Sequence, residues 1–600
     1  MHATRLLPAL LCSVFLPGLA GAGAGHEQRP LARMIGPTPS SPVPNAAFAP
    51  GSDALPAPAF TGRLQFAATP MLVQPALSQA IIDSRDARLF PGIDLALVTV
   101  DGALVPAERG RMVREARAGT APSYWRVIPQ AGRVWREPGD GDWSRAALPL
   151  MLVNDTENHA HQGLATFLYR NGEVSAVRVQ FVQQTAPYLL SPHCVLWGIV
   201  PVRATPLAAA DAETTVTAAR RQAAVRANLP VRPLAELEAS LPRGTLDGFG
   251  GPVLPDWQVA RALVYRGTLY YEAATTPYGP YPYPLEMRFG VRSIMKSVAG
   301  PLSLLHLAQV YGPYVMNLYV GDYVEGLDPK WKTVRFADAA SMASGYGGTG
   351  TLRTHPNDFN DGYLDGDYDG WYTAPSVEAK LRHMREHLTP YPWAPGTVAR
   401  YRDHDFFVLG LAIDGFIKKM RGPQADAWEV LRREVLEPIG IFDAPAVRTR
   451  EADGREGPVW FNAGYYPTLE DLARIALLYQ NRGESGGQQL LHRGLCADLL
   501  AAKGALDKQG DGSYRATLDE AHPPLLYRTG FHFTPYRSPQ TQTLYFLPTM
   551  SGYGDNEVVL YPNGIVSLRT AKVGEVPVGQ TALGGDPDAT IRAVERIAPF

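Results

Sequence analysis

The stretch "RFGVRSIMKSVAGPLSLL" (residues 288–305) places a lysine, Lys296, in an apolar run, three residues after a serine, Ser293. The apolar residues predict a largely buried helix, on which residues three apart share a face. A buried ammonium is costly unless it is paired or its pKa is lowered. A lysine kept neutral there could act as a base for Ser293, which could then attack a carbonyl carbon. The alternative is a structural lysine whose amine reaches the surface.

Length and composition predict a globular protein of at least two domains. A chain of 600 residues is too long for one core. Hydrophobic residues make up 46% and charged residues 19%, as in folded proteins. The 56 basic and 58 acidic side chains give a formal charge of −2, with no long basic run. We therefore expect neither nucleic acid nor an anionic membrane as a partner.

The first residues predict export from the cytoplasm. Arg5 precedes an apolar stretch, 6–20, that is too short to cross a bilayer, and small residues follow it. We interpret 1–24 as a signal peptide and expect the mature protein in the periplasm or outside the cell, without an integral membrane span. An uncleaved anchor is the alternative. Residues 25–60 are rich in Pro, Ala, Gly and Ser and predict a flexible linker.

The remaining chain divides by texture into two regions. Residues 61–245 predict a β-rich N-terminal domain of unknown role, with hairpins around the Asp-Gly pair 101–102 and the Asn-Gly pair 171–172. Two helices are predicted over 214–244. From 246 to 600 strands and helices alternate, and the chemistry-bearing motifs lie in this second region.

Signals for metals and disulfides are weak. The His-x-His pair His159 and His161 hints at a metal, but a surface loop is favoured because no carboxylate or cysteine stands at ligand spacing. Beyond Cys12, which leaves with the signal peptide, Cys194 and Cys496 either form a disulfide or remain separate buried thiols, and the second is favoured.

An acidic stretch, "LDGDYDGWY" (364–372), has the spacing of the first half of a calcium loop. Asp365, Asp367 and Asp369 stand at that spacing, but Ser376 replaces the glutamate expected at the twelfth position. A solvated acidic loop at the rim of the active site is the favoured interpretation.

Four later stretches resemble segments of one family, the penicillin-binding and class C β-lactamase-like serine hydrolases. They are "WKTVRFADAASMASGYG" (331–347), "PGTVARYRDHDFFVLGLAI" (395–413), "GYYPTLEDLARIALLYQNRGESGGQQLL" (464–491) and "SGYGDNEVVLYPNGIVSL" (551–568). The last is similar to a hairpin of the esterase and amidase branch, which includes the nylon-oligomer hydrolases. Four matches in order are far more specific than one Ser-x-x-Lys tetrapeptide.

The resemblance implies a fold, a reaction and three catalytic residues. The fold would be α/β, of the α+β kind: an antiparallel sheet flanked by helices beside an all-helical lobe, with the site between them. Ser293 would be the nucleophile, Lys296 its base and Tyr401 the group that shuttles a proton to the leaving group. An ester or a small amide would be hydrolysed through an acyl-enzyme, with no metal and no organic cofactor.

Departures from the family pattern limit the choice of substrate. Asp403 stands where the family has an asparagine, and the lysine of the third motif is absent near Ser551 and Gly552. We expect Asp403 to contact substrate, and Ser551, Gly552 and Tyr553 to supply oxyanion donors together with the Ser293 N–H. The stretch 528–530, Arg-Thr-Gly, is a rival for the third motif.

Two other functions remain open on the sequence alone. One is a cell-wall peptidase or penicillin-binding protein, and the other is a non-catalytic binding protein that keeps the fold.

Overall fold

The computed structural model describes residues 41–116, 122–347, 368–391, 393–507, 526–574, 576 and 581–600. The predicted signal peptide, Cys12, Asp365 and Asp367 lie outside these ranges. No helix within them combines the length and the apolar character needed to cross a bilayer.

The described residues form eleven α-helices, numbered here in chain order. They are α1 (Ala209–Arg226), α2 (Leu234–Ser240), α3 (Ile294–Tyr311), α4 (Phe336–Ala340), α5 (Tyr368–Thr373), α6 (Val377–His387), α7 (Asp403–Arg421), α8 (Ala427–Leu431), α9 (Leu469–Gln480), α10 (Arg493–Leu500) and α11 (Ala589–Ile597).

An antiparallel sheet of twelve described strands, the N-terminal sheet, is formed by the first third of the chain. In spatial order its strands are Val202–Thr205, Thr61–Phe66, Asp94–Val100, Ala103–Pro106, Gly132–Trp135, Ser144–Val153, His161–Arg170, Val177–Gln183, Val195–Val200 and Leu72–Gln74, with Arg126–Pro129 and Glu173–Val174 paired at the side. Asp101-Gly102 and Asn171-Gly172 turn two of its hairpins with positive φ at both residues, as predicted.

A second sheet, the C-terminal sheet, has nine described strands. Their order is Val231–Pro233, Thr268–Glu272, Gln258–Tyr265, Val566–Ala571, Asn556–Leu560, Leu544–Gly552, Phe531–Arg537, Leu526–Arg528 and Leu506–Asp507. All neighbours are antiparallel except the first pair, which is parallel. The strand Val231–Pro233 therefore joins this sheet although the sequence assigned it to the N-terminal domain.

Five two-stranded ladders complete the strand inventory of the described residues. They pair Thr69–Pro70 with Leu89–Phe90, Ile81–Ile82 with Arg85–Asp86, Thr275–Thr276 with Gly279–Pro280, Arg448–Arg450 with Glu456–Val459, and Glu484–Ser485 with Gln488–Gln489.

Helices cover the C-terminal sheet on both faces. Side chains of α2 and α11 share one apolar core with Leu263, Leu547 and Val559 of the sheet. On the other side, α9 contacts the strands Asn556–Leu560 and Val566–Ala571, and α3 contacts the strand Leu544–Gly552. Further helices, α7 and α8, pack on α3. This mixed α/β arrangement with antiparallel sheets confirms the predicted fold class.

The two sheets belong to one continuous body because central strands of the N-terminal sheet are buried on both faces. In the strand Ser144–Val153, every residue is buried. Alternate side chains point to opposite faces of a strand, and the two sets here enter two different cores. Ala146, Leu148, Leu150 and Leu152 fill the core of the N-terminal domain, whereas Ala147, Met151 and Val153 pack into the core of the C-terminal domain.

Two sequence interpretations need correction. Part of the predicted flexible linker is packed, around residues 45–48: Phe48 is fully buried, and the Asn45 amide donates to Thr276 Oγ1 and to the Gly279 carbonyl, each at 2.8 Å. His159 and His161 are fully buried and not in a surface loop. His159 Nδ1 lies 3.1 Å from Glu157 Oε1, and this buried carboxylate is a partner that the spacing of the histidines did not reveal.

The cysteine alternative is decided by the structure. Cys194 and Cys496 are separate, buried, free thiols. Burial raises the pKa of each to about 12, so both are kept protonated and unreactive at neutral pH.

Candidate active site

Ser293 is the accessible point of a buried segment. It is the N-cap residue that precedes α3. All the remaining residues from 287 to 308 are buried. The Ser293 side chain makes no capping bond to the helix. Its Oγ instead accepts a hydrogen bond from Lys296 Nζ at 2.7 Å. The hydroxyl is therefore both reachable from solvent and in contact with the amine one helical turn away.

The backbone in front of Ser293 is in an unfavourable conformation that its surroundings hold. Arg292 has φ +52°, in the left-handed region that non-glycine residues rarely adopt. Its N–H donates to Asn158 Oδ1 at 2.6 Å, and its Nη2 donates to the Ala186 carbonyl at 2.9 Å. Such a conformation costs about 1–3 kcal/mol and persists where neighbouring contacts compensate for it. Both acceptors belong to the N-terminal domain, which thus fixes the turn into α3.

Lys296 is at the centre of the polar cluster. Its side chain is 1% exposed, and Nζ lies 2.6 Å from Asp403 Oδ1 and 3.1 Å from the Asn462 carbonyl, besides Ser293 Oγ. The Tyr401 ring centroid is 4.8 Å from Nζ. The structure thus brings together the three predicted catalytic residues and adds Asp403 to them.

The charge of Lys296 differs from the sequence expectation. Burial disfavours the ammonium and lowers the pKa, but the attraction of the Asp403 carboxylate, followed by that of Tyr401, outweighs burial and raises the pKa above its ordinary value of 10.5. The expectation of a neutral amine was wrong because the sequence showed the apolar neighbours on α3 and not the carboxylate on α7. At rest the amine is an ammonium in a buried ion pair.

Asp403 is a partner of Lys296, whereas the sequence predicted a substrate contact. It is the first residue of α7 and is 3% exposed. Its Oδ1 faces Lys296, and its Oδ2 accepts from the Tyr368 hydroxyl at 2.6 Å and from Asn462 Nδ2 at 3.3 Å. Both oxygens are engaged by the protein, and the N-terminus of the 19-residue helix α7 favours a negative charge there.

Tyr401 precedes α7 and is buried among aromatic rings. Its ring stacks on His532 at 5.7 Å and 21°, and it meets the edge of Tyr527 at 6.1 Å. His532 is partly exposed, on the strand Phe531–Arg537. His532, Asn462 and Tyr368 contact the catalytic candidates although the sequence singled out none of them, because each comes from a different segment of the chain.

The end of the strand Leu544–Gly552 lies directly against the turn that carries Ser293. A Cβ at Gly552 would stand 2.1 Å from the Val291 carbonyl oxygen and 3.3 Å from the Ile294 nitrogen. Only glycine permits this approach, since a real Cβ cannot come so close to backbone atoms. Ser551, Gly552 and Tyr553 are thus beside Ser293.

The rival stretch, 528–530, contacts α3 at another point. The Gly530 carbonyl accepts from Ser297 Oγ at 2.6 Å, and a Cβ at Gly530 would stand 2.5 Å from the Lys296 carbonyl. This turn therefore packs beside the first turn of α3, whereas Gly552 packs against the residues that flank Ser293.

The described part of the acidic stretch borders the site. Asp369 is exposed at the start of α5, and its carboxylate accepts from the Tyr188 hydroxyl. Among the described residues, no group of three or more His, Cys, Asp and Glu side chains is placed to hold a metal ion.

Comparison with known proteins gives structural neighbours only. No family model and no curated protein matches the sequence. The fold is similar to a family VIII carboxylesterase (TM-score 0.38, 14% identity, 57% of this chain and 92% of that one). It is also similar to an octameric penicillin-binding protein homologue from Pyrococcus abyssi (TM-score 0.39, 16% identity, 61% of this chain and 76% of that one). A penicillin-binding protein homologue from Caulobacter crescentus is similar as well (TM-score 0.37, 17% identity, 63% of this chain and 96% of that one).

These neighbours belong to the group that the sequence motifs resemble, the β-lactamase and penicillin-binding-protein-fold hydrolases and their homologues. With TM-scores of 0.37 to 0.39 they carry no argument about the activity of this chain, which depends on the geometry of its own site.

Proposed function

We propose that this protein is an exported serine hydrolase that forms an acyl-enzyme on Ser293 and hydrolyses an ester or a small amide. The observation that carries the proposal is the contact between an accessible serine hydroxyl and a buried lysine amine, 2.7 Å apart, beside the phenol of Tyr401. A serine is a weak nucleophile at neutral pH unless a base within hydrogen-bond reach takes its proton.

The buried ion pair suggests how that proton leaves. As Ser293 Oγ forms a bond to the carbonyl carbon, its proton passes to Lys296 Nζ, while Nζ passes one of its own protons to Asp403 Oδ1 at 2.6 Å. Lys296 remains an ammonium, and Asp403 becomes a neutral acid. The relay moves one proton from serine to carboxylate, and the ammonium that stays on Lys296 then faces the negative charge that develops on the substrate oxygen instead of that of Asp403.

The second half of the reaction returns the proton. When the tetrahedral intermediate collapses, the bond from carbon to the leaving oxygen or nitrogen breaks, and the leaving group must gain a proton. Tyr401, in contact with Lys296, is placed to donate it and to be reprotonated through Lys296 from Asp403. Water then attacks the acyl carbon, and its proton passes through Lys296 to Asp403. The bond from carbon to Ser293 Oγ breaks, and that oxygen regains a proton from Lys296, which Asp403 reprotonates. Backbone N–H groups of Ser293 and Tyr553 are the proposed donors to the oxyanion.

The choice of substrate follows from what surrounds Ser293. Asp403 is engaged with Lys296, and the third-motif lysine is absent, so neither of the groups by which β-lactamases hold a substrate side chain and a carboxylate is offered. We therefore place an ester or a small amide ahead of a β-lactam or a cell-wall peptide. Export rests on the sequence of residues 1–24.

A fluorophosphonate probe tests the proposal. Its adduct, mapped by mass spectrometry, should be on Ser293, and Ser293→Ala should lower kcat/KM for short aliphatic p-nitrophenyl esters by at least about a thousandfold. Ser303→Ala is the matched control, because this serine lies on the same helix, buried and away from the cluster. Equal hydrolysis by the wild type and Ser293→Ala would overturn the proposal. Labelling by a fluorescent penicillin without ester hydrolysis would indicate the penicillin-binding role instead.

A further inference from the structure

A segment of the N-terminal domain borders the site. Residues 185–190, called here the wall segment, connect the strand Val177–Gln183 to the strand Val195–Val200. The Ala186 carbonyl accepts from Arg292, the residue before Ser293. The Pro187 carbonyl accepts from the Tyr553 hydroxyl at 3.4 Å. The wall segment is therefore tied to both chain segments that frame the proposed nucleophile.

Two half-exposed tyrosines flank Arg292 at this border. Tyr188 of the wall segment is 38% exposed and Tyr553 is 48% exposed. Their ring centroids lie 5.9 Å and 5.7 Å from Arg292 Cζ, within the range of cation–π attraction. Since Arg292 adjoins Ser293 in the chain, both rings lie close to the proposed nucleophile.

The surface that these tyrosines present is ring carbon. The Tyr188 hydroxyl donates to the Asp369 carboxylate, and the Tyr553 hydroxyl donates to the Pro187 carbonyl. The Arg292 guanidinium is covered, because Arg292 is only 5% exposed. Both hydroxyl groups are therefore engaged by acceptors of the protein, and what these two side chains offer a ligand is aromatic ring surface.

Tyr188 is also held in place and within reach of the catalytic charges. Its ring packs edge-on against Tyr372 of α5 at 5.6 Å. Burial, the bond to Asp369 and the charge of Asp403 raise the pKa of Tyr188, so its hydroxyl stays protonated and keeps its bond at neutral and moderately alkaline pH. A fixed ring of this kind loses little conformational entropy when a ligand binds.

We infer that Tyr188 and Tyr553 bind an aromatic group of the substrate, so that the N-terminal domain is part of the active site and the enzyme prefers aryl esters to aliphatic esters of similar size. The inference rests on the proposed function and names its substrate class. Offset or edge-on ring contacts add specificity beyond that of buried area. The wall segment supplies one ring and the C-terminal domain the other.

The test compares paired esters that carry no chromophore. Methyl phenylacetate against methyl hexanoate probes the acyl side, and benzyl acetate against hexyl acetate probes the alcohol side, with acid release followed in a pH-stat. The full-length wild type should favour the aryl member of at least one pair. Tyr188→Ala should lower kcat/KM for that ester about tenfold through a higher KM, and lower the value for its aliphatic counterpart by a clearly smaller factor.

Two further variants separate binding from structure. Tyr188→Phe keeps the ring and should retain the preference. Tyr314→Ala is the matched control, since Tyr314 is 51% exposed and follows the C-terminal end of α3, the end opposite Ser293. This variant should leave kcat/KM for all four esters unchanged.

The outcomes distinguish this inference from the proposed function. Equal losses on aryl and aliphatic esters in Tyr188→Ala, or no aryl preference in the wild type, would overturn the inference while hydrolysis itself supports the function. Absence of any ester hydrolysis and of a fluorophosphonate adduct on Ser293 would remove both.

Discussion

Replacing Asp403 by asparagine tests the role proposed for the buried ion pair. Asparagine is the residue at this position in the family whose motifs the sequence resembles. Asp403 Oδ1 and Lys296 Nζ are 2.6 Å apart, with 5% and 1% of their side chains exposed. At an effective dielectric constant of about 20, two charges at this distance attract by roughly 6 kcal/mol before desolvation is subtracted. Asp403→Asn removes that attraction and leaves the amine buried.

The expected loss of stability follows from two free energies: the cost of leaving the Lys296 charge unpaired and the cost of removing its proton. Removing one partner of a buried ion pair costs about 3–5 kcal/mol. Lys296 can avoid an unpaired charge by losing its proton, which costs about 1.4 kcal/mol per pH unit. From its ordinary pKa of 10.5 down to pH 7 this amounts to about 5 kcal/mol. We therefore expect urea unfolding to show Asp403→Asn destabilised by about 3–5 kcal/mol at pH 7.

The expected effect on activity depends on pH. In the proposed relay Asp403 receives the serine proton through Lys296, so the variant should lose about 10²- to 10⁴-fold in kcat/KM at pH 7. Without the carboxylate, the effect of burial lowers the pKa of Lys296, and the neutral amine becomes available as the pH rises. The variant should therefore regain activity at alkaline pH relative to the wild type.

The assay is ester hydrolysis at several pH values, on protein whose near-ultraviolet circular dichroism confirms folding. Asp414→Asn is the matched control: Asp414 lies on the same helix, is buried, and pairs with Lys418 at 2.5 Å. It should change stability without changing the pH profile. An Asp403→Asn variant as active as the wild type at pH 7, or weakened by the same factor at every pH, would refute the relay.

Other perturbations probe the backbone and two buried lysines, Lys296 and Lys380. Gly552→Ala places a Cβ 2.1 Å from the Val291 carbonyl. It should lower both stability and fluorophosphonate labelling by displacing the turn before Ser293, whereas Gly198→Ala, whose nearest new contact is 3.7 Å, should do neither. Because the folded-state pKa of Lys296 is raised, the stability of the wild type relative to Lys296→Met should be greatest below about pH 10.5 and decline as the pH rises further.

Lys380 should behave in the opposite way, since burial lowers its folded-state pKa well below the ordinary value: the wild type should gain stability over Lys380→Met as the pH rises towards about 10.5. Urea unfolding at several pH values measures both, and parallel curves for the two variants would contradict the assigned shifts.

Much of the local structure could be predicted from the sequence. Asp101-Gly102 and Asn171-Gly172 turn hairpins because each pair adopts positive φ values that few other residues tolerate. Apolar residues recur at helical spacing within the stretch 464–491, which contains α9, Leu469–Gln480. Ser293 and Lys296 meet because residues three apart share a helical face, so their contact needed no tertiary information.

The protonation state of the site depended on contacts that no local pattern encodes. Whether Lys296 is neutral or charged is set by Asp403, a residue of another helix, and the energy of a buried charge changes by several kcal/mol with such a partner. The contact of Tyr188 with Arg292 likewise joins residues more than a hundred positions apart in the chain, and no local pattern indicates it. Periodicity and turn chemistry act between neighbours in the chain and can be read from the sequence alone. Desolvation and ion pairing act between whatever groups the fold brings together, and for this protein only the tertiary structure decided them.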